Sequence, residues 1–210
     1  MNIDTQGRIS AVSLLFFGTL ALSSICFDVV GSEDRNFSQA IEKGTAHLSF
    51  RYRFESVEQD NSLKDASAST LKTRLNFTTQ TSHGIQAFIE VDDVSVIGTD
   101  NYNDTHFHNP QYSVVADPEG TEINQAWLRF NGLEKNIITL GRQRINFDNQ
   151  RFFGGVGWRQ NEQTYDALMV TNSSLSNISA RYVYMYNVNR IFGPGDGAQL
   201  ADFGTDSHLI

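Results

Sequence analysis

One cysteine, Cys26, and three prolines in 210 residues remove several classes at once. A lone cysteine excludes a disulfide framework and a cysteine zinc site. Basic residues are also in deficit, with 16 Lys and Arg against 24 Asp and Glu and a net charge of -8. A phosphate backbone needs a cationic face, so nucleic acid is not an expected partner. After residue 42 no segment carries a 3.6-residue apolar period. What remains is 16 glycines and 11% aromatics, a composition suited to strands and turns.

The one long apolar run lies at the start. Ile9 to Phe27 carries no charge, follows Arg8, and ends near small residues at Ala21-Leu-Ser23 and Val29-Val-Gly31. This reads as a secretory signal peptide over residues 1–31, with two candidate cleavage points. A retained single-span anchor is the alternative. Residues 32–42 read as a linker.

From residue 43 the chain alternates. Ala46, Leu48, Phe50, Tyr52 and Phe54 share one face, with His47, Ser49, Arg51, Arg53 and Glu55 on the other. The pattern recurs at 71–78, 85–92, 122–130, 137–145, 164–170 and 177–188. Short turns at 81–84, 131–136 and 172–176 alternate with long polar connections at 93–121, 146–163 and 189–206. Sorting of connections by length is what a membrane barrel presents to its two sides, and a soluble sandwich has no reason to show it. The expected fold class is therefore all-β, an antiparallel transmembrane β-barrel with seven to eight strands over 43–210. An eighth strand would begin only at the end, making this the N-terminal part of a larger barrel.

The bases sharpen the picture. Arg51, Arg53, Lys72, Arg74, Arg129, Arg142, Arg144 and Arg181 lie in strands or at their ends, whereas many carboxylates lie in connections. An arginine near the midplane of the lipid face costs about 2–4 kcal/mol, so these bases, with Glu90, are expected to line the lumen as a locally cationic wall. Strand 137–145 poses a problem of register. Ile138 and Leu140 toward lipid would take Arg142 and Arg144 with them, unless a bulge at Gly141 turns both inward. Beyond it, Asp148, Arg151, Arg159, Glu162 and Asp166 are expected to form charge pairs that hold a rim loop against the wall.

Gly141-Arg-Gln-Arg-Ile, Asp148-Asn-Gln-Arg-Phe, Val156-Gly-Trp-Arg-Gln-Asn-Glu-Gln-Thr-Tyr-Asp-Ala and Asn187-Val-Asn-Arg-Ile-Phe-Gly193 together resemble the alginate-export type of outer-membrane porin, and Asn124-Gln-Ala-Trp-Leu fits the same pattern. The resemblance implies a monomeric barrel in outer-membrane lipid, with an arginine-rich lumen that passes an anionic polysaccharide or other polar solutes. Arg142, Arg144, Arg151 and Arg159 match its motif. It implies no enzyme and no cofactor.

Rival readings are weaker. Glu90 with Asp92, or Glu162 with Asp166, have the residue types of a glycosidase pair, but sequence proximity does not supply the separation. His106-Phe-His108 lacks a third metal ligand, Asp100 to Asp104 lacks calcium-loop spacing, and Gly154-Gly-Val-Gly157 precedes no helix. The rival from another class is a secreted, soluble β-sandwich that binds carbohydrate.

Overall fold

A computed structural model describes residues 16–18 and 37–210. Most of the segment read as a signal peptide lies outside them. Within it, β1 (Phe16–Gly18) pairs with β2. The expected linker contains a short helix, α1 (Phe37–Glu42), whose Ala40 carbonyl accepts a hydrogen bond from the Gln80 amide at 2.8 Å.

The rest is one antiparallel sheet: β2 (Thr45–Val57), β3 (Ala66–Thr78), β4 (Ile85–Asn101), β5 (Gly120–Phe130), β6 (Asn136–Gln143), β7 (Thr164–Asn172), β8 (Ala180–Asn189) and β9 (Asp202–Leu209). Each strand pairs with its sequence neighbours and the order is β1 through β9 without a crossover. The described sheet is open, with β1 and β9 at its edges. This all-β meander is the wall of a barrel, left unclosed, and agrees with the expected fold class.

Connections sort by length as expected. Those at 79–84, 131–135 and 173–179 are short, whereas those at 102–119, 144–163 and 190–201 are long. Several strand limits differ from expectation: β3 already begins at Ala66 where residue 71 was expected, and β6 ends at Gln143 where 145 was expected. β4 runs on to Asn101, where Val94 faces Lys72 and Val96 faces Thr70, so the apolar residues change face after Val91 and the simple alternation ends before the strand does. β8 begins at Ala180, and β9 already occupies Asp202–Leu209 within and beyond the last expected connection.

The two faces differ in kind. Leu75, Ile89, Leu128 and Leu140 are 43–54% exposed on one face, although they are large and apolar. The opposite face holds Arg53, Lys72, Glu90 and Asp92, all buried. A sandwich would hide its apolar face against a second sheet. Here the apolar face is open and the polar one is covered, as a barrel in lipid requires.

The Gly141 problem resolves in an unexpected way. Gly141 has φ 122°, yet the register is unbroken: Ala126 faces Arg142 and Arg142 faces Asp166. Ala126 in turn faces Ile89, so Arg142 stays in the register column of the apolar face and is not turned inward. Only Arg144, past the end of β6, reaches the polar face. A Cβ on Gly141 would lie 2.3 Å from the Ala126 carbonyl oxygen, so the close approach of β5 and β6 requires glycine there.

Leu128 pairs with Leu140, which pairs with Leu168, in the middle of the apolar band. Leu128→Arg is expected to cost about 2–4 kcal/mol in denaturant unfolding from lipid vesicles. A loss below 0.5 kcal/mol, the scale of ordinary surface changes, would mean that this face does not meet hydrocarbon.

Candidate functional site: an inward-folded loop on a charged wall

The polar face owes its geometry to the β3–β4 hairpin. Its turn at 82–84 carries His83 and Gly84 at positive φ, and pairing is symmetric about His83, which sets Arg74 opposite Asp92 and Asn76 opposite Glu90. Arg74 donates from Nε to Asp92 Oδ1 at 2.7 Å and from Nη2 to Asp92 Oδ2 at 2.6 Å. This planar, two-pronged pair holds the guanidinium rigidly.

Onto that wall folds the 144–163 connection. Glu162 accepts from Arg74 Nη2 at 2.8 Å and from Arg144 Nε at 2.7 Å, while Lys72 Nζ lies 3.7 Å away. Arg144 also reaches Glu90 at 3.2 Å, and Glu90 accepts from Asn124 and Gln125 at 2.8 Å each. Burial alone would raise the Glu162 carboxyl, but Arg74, Arg144 and Lys72 outweigh it and hold it down at about 2.

Gln160 and Asn161, both fully buried, carry the loop across to β2 and β3. The Gln160 amide donates to Asp117 at 2.8 Å; its Nε2 donates to Thr70 Oγ1 at 2.8 Å, and its Oε1 accepts from Arg51 Nε at 2.9 Å. Asn161 donates to the Pro118 carbonyl at 3.0 Å. Arg51 further donates to the Gly157 carbonyl at 2.8 Å and to that of Arg159. Arg53 contacts the Trp158 carbonyl, Glu55 and, at 3.5 Å, Asp117. Arg159 meets Glu55 at 3.2 Å and Asp117 at 3.8 Å.

The near half of the loop packs elsewhere. Phe147 and Phe153 lie against Ile145, Tyr165, Ala167, Val183, Met185 and Val188, so the polar-face side of β7 and β8 is apolar where the loop covers it. The loop thus spans the inner face from β8 to β2.

The expected site residues divide accordingly. Arg51, Arg53, Lys72, Arg74, Glu90 and Arg144 form the wall under the loop. Arg159 and Glu162 make the expected loop-to-wall pairs. Asp166 also pairs, with Arg142 at 2.8 Å, and accepts from Asn189 at 3.1 Å and Asn187 at 3.4 Å; this group holds β6 to β7 and β8 on the other register column. Asp148 and Arg151 are exposed and form no ion pair among the described residues; Arg151 only lies over the Phe152 ring at 5.8 Å. Their pairing was expected from proximity in sequence, but the loop's apolar half docks through Phe147 and Phe153 and leaves its charges in solvent. Arg129 stacks on Trp127 at 4.4 Å and Arg181 on Phe147 at 5.4 Å.

Asp92, Glu55, Asp117, Gln160 and Asn161 were not anticipated as site residues. Asp92 was within reach of hairpin symmetry about His83. Asp117 and Gln160 were not, since they meet between two loops 43 positions apart. The expectation of a cationic wall also changes. Lys72, Arg74 and Arg144 face Asp92, Glu90 and Glu162, so this part of the wall is charge-balanced.

The family model for alginate export matches residues 44–176, which include β2 to β7 and the whole inward loop. The chain belongs to the alginate-export family. No curated protein and no solved structure matches it. Membership gives the general setting, an outer-membrane export channel of the alginate type and a transporter family rather than an enzyme family.

The lowered Glu162 value has a definite pH consequence. Its folded value lies below the ordinary 4.5, so its contribution to loop docking is full above about pH 4.5 and is lost as pH falls toward 2. Trp158 emission in a Trp127→Phe background is expected to stay constant from pH 7 to 4.5, to shift below that, and to lose this transition in Glu162→Gln. A transition centred near pH 6 would assign the docking to another group.

Proposed function

We propose that this protein is an outer-membrane channel whose conducting path is narrowed by the 144–163 loop and which passes anionic or polar solutes, an acidic polysaccharide such as alginate among them. The observation that carries this reading is the loop itself, pinned across the polar face from β8 to β2 by Gln160 and Glu162. A segment anchored at both ends inside a charged wall restricts size and focuses field where water is scarce. The apolar face supplies the contact with outer-membrane lipid, and a monomeric barrel needs no subunit partner. The soluble carbohydrate-binding sandwich loses support, because Leu75, Leu128 and Leu140 would stand open to water.

The test combines fractionation with conductance. The protein is expected in the outer-membrane fraction, with a heat-dependent gel shift and discrete anion-favouring steps in planar bilayers. Ready solubility in buffer without detergent would overturn the reading. Arg144→Glu places a carboxylate beside Glu90 and Glu162, so it is expected to release the loop and raise the single-channel step. An unchanged step in a folded Arg144→Glu channel would remove the loop from the conducting path.

A further inference from the structure

The bases expected to line the pore do not meet the same fate. Arg53, Lys72, Arg74 and Arg144 are matched by carboxylates on the polar face, Arg142 by Asp166, and Arg51 spends its guanidinium on Gln160 and loop carbonyls. Arg129 and Arg181 differ. Neither has a carboxylate within 4 Å among the described residues; Arg129 makes one long contact from Nε to Thr139 Oγ1 at 3.5 Å, and Arg181 makes no hydrogen bond there. Both are instead laid on aromatic rings.

That arrangement is suited to binding. Stacking orients a guanidinium without neutralising it and leaves its N–H edge free for a carboxylate. Beside Arg129, Trp127 stacks on Phe88 with centroids 5.0 Å apart and planes 18° off parallel, both half-buried on the polar-face column below Glu90. Such ring surface suits the C–H faces of a pyranose, and the adjacent cation suits an acid group on the same ring. The register runs from Arg129 through Thr139 and Met169 to Val183, two positions from Arg181. The two arginines therefore stand three strands apart and offset by about 7 Å along the strands, roughly 16 Å from one another at about 4.8 Å per strand and 3.4 Å per residue.

Resting on the channel reading above, we infer that Arg129 with Trp127 and Phe88, and Arg181 with Phe147, are the subsites that bind the carboxylates of a polyuronate chain. The ion-paired arginines under the loop hold structure instead. Specificity then lies in the short-turn half of the wall, on the open side of the loop.

The experiment uses the full channel in planar bilayers, with purified oligomannuronate as blocker and folding of each variant checked by the heat-dependent gel shift. Arg129→Gln and Arg181→Gln are each expected to raise the half-blocking concentration about tenfold, the scale of one charge-assisted hydrogen bond. Arg129→Lys keeps the charge but loses the planar fork, and is expected to recover only part of that loss. Trp127→Leu removes the ring on which Arg129 lies and is expected to raise the half-blocking concentration of oligomannuronate several-fold. Wild-type channels that conduct but are not blocked, or an Arg142→Gln loss equal to that of Arg129→Gln, would overturn the inference. Absence of any conductance in the wild type would instead overturn the channel reading.

Discussion

Glu162 is the point on which the rest of the structure turns. A carboxylate so deeply buried is tolerable only if cations meet it, and it receives them from β3 through Lys72 and Arg74 and from the end of β6 through Arg144. Those cations are already committed to Asp92 and Glu90, so the loop carboxylate completes a lattice that would otherwise carry excess positive charge under a covered surface. Removing one member leaves several uncompensated, which is why such a network behaves as a unit. Its effect on shape is direct. The loop is drawn down onto the sheet, and Gln160 then reaches β2.

The two faces of the sheet follow from the same demand. On the apolar face Arg142 and Asp166 neutralise one another with help from Asn187 and Asn189. On the polar face the demand is met in two ways. Where the far half of the loop covers the wall, each cation has a carboxylate or a carbonyl; Arg181, at the edge of the loop against Phe147, and Arg129, beyond it, rest on rings instead. An arginine-rich sequence is thus not the same as a cationic surface. The functional charge is what remains after internal pairing.

Much of the fold was legible because alternation with period two has one consistent meaning for a sheet with unlike faces. The inward placement of Lys72, Arg74 and Glu90 and the sorting of long and short connections came from that rule. The extension of β4 to Asn101 is not legible in the alternation, because Asp93 reads as a loop former and only the pairing with β5 gives it a partner, the Thr121 hydroxyl at 2.6 Å. The bulge proposed at Gly141 rested on a correct energetic objection to two unpaired arginines in lipid. It failed for Arg142 because Asp166 on the neighbouring strand removed the objection.

Strand identity, facing and the hairpin pairs within a few residues of a turn are local properties, and the order of apolar and polar side chains settles them before any folding. The partnership of Gln160 with Thr70, Arg51 and Asp117 is of another kind. It joins segments up to 109 positions apart, and no periodicity records which loop will cross which strand. Only the folded sheet brings β2 and the 144–163 loop together. Burial then makes unpaired charge costly enough to choose among the arginines of the wall, leaving most of them structural and Arg129 and Arg181 without a carboxylate partner among the described residues.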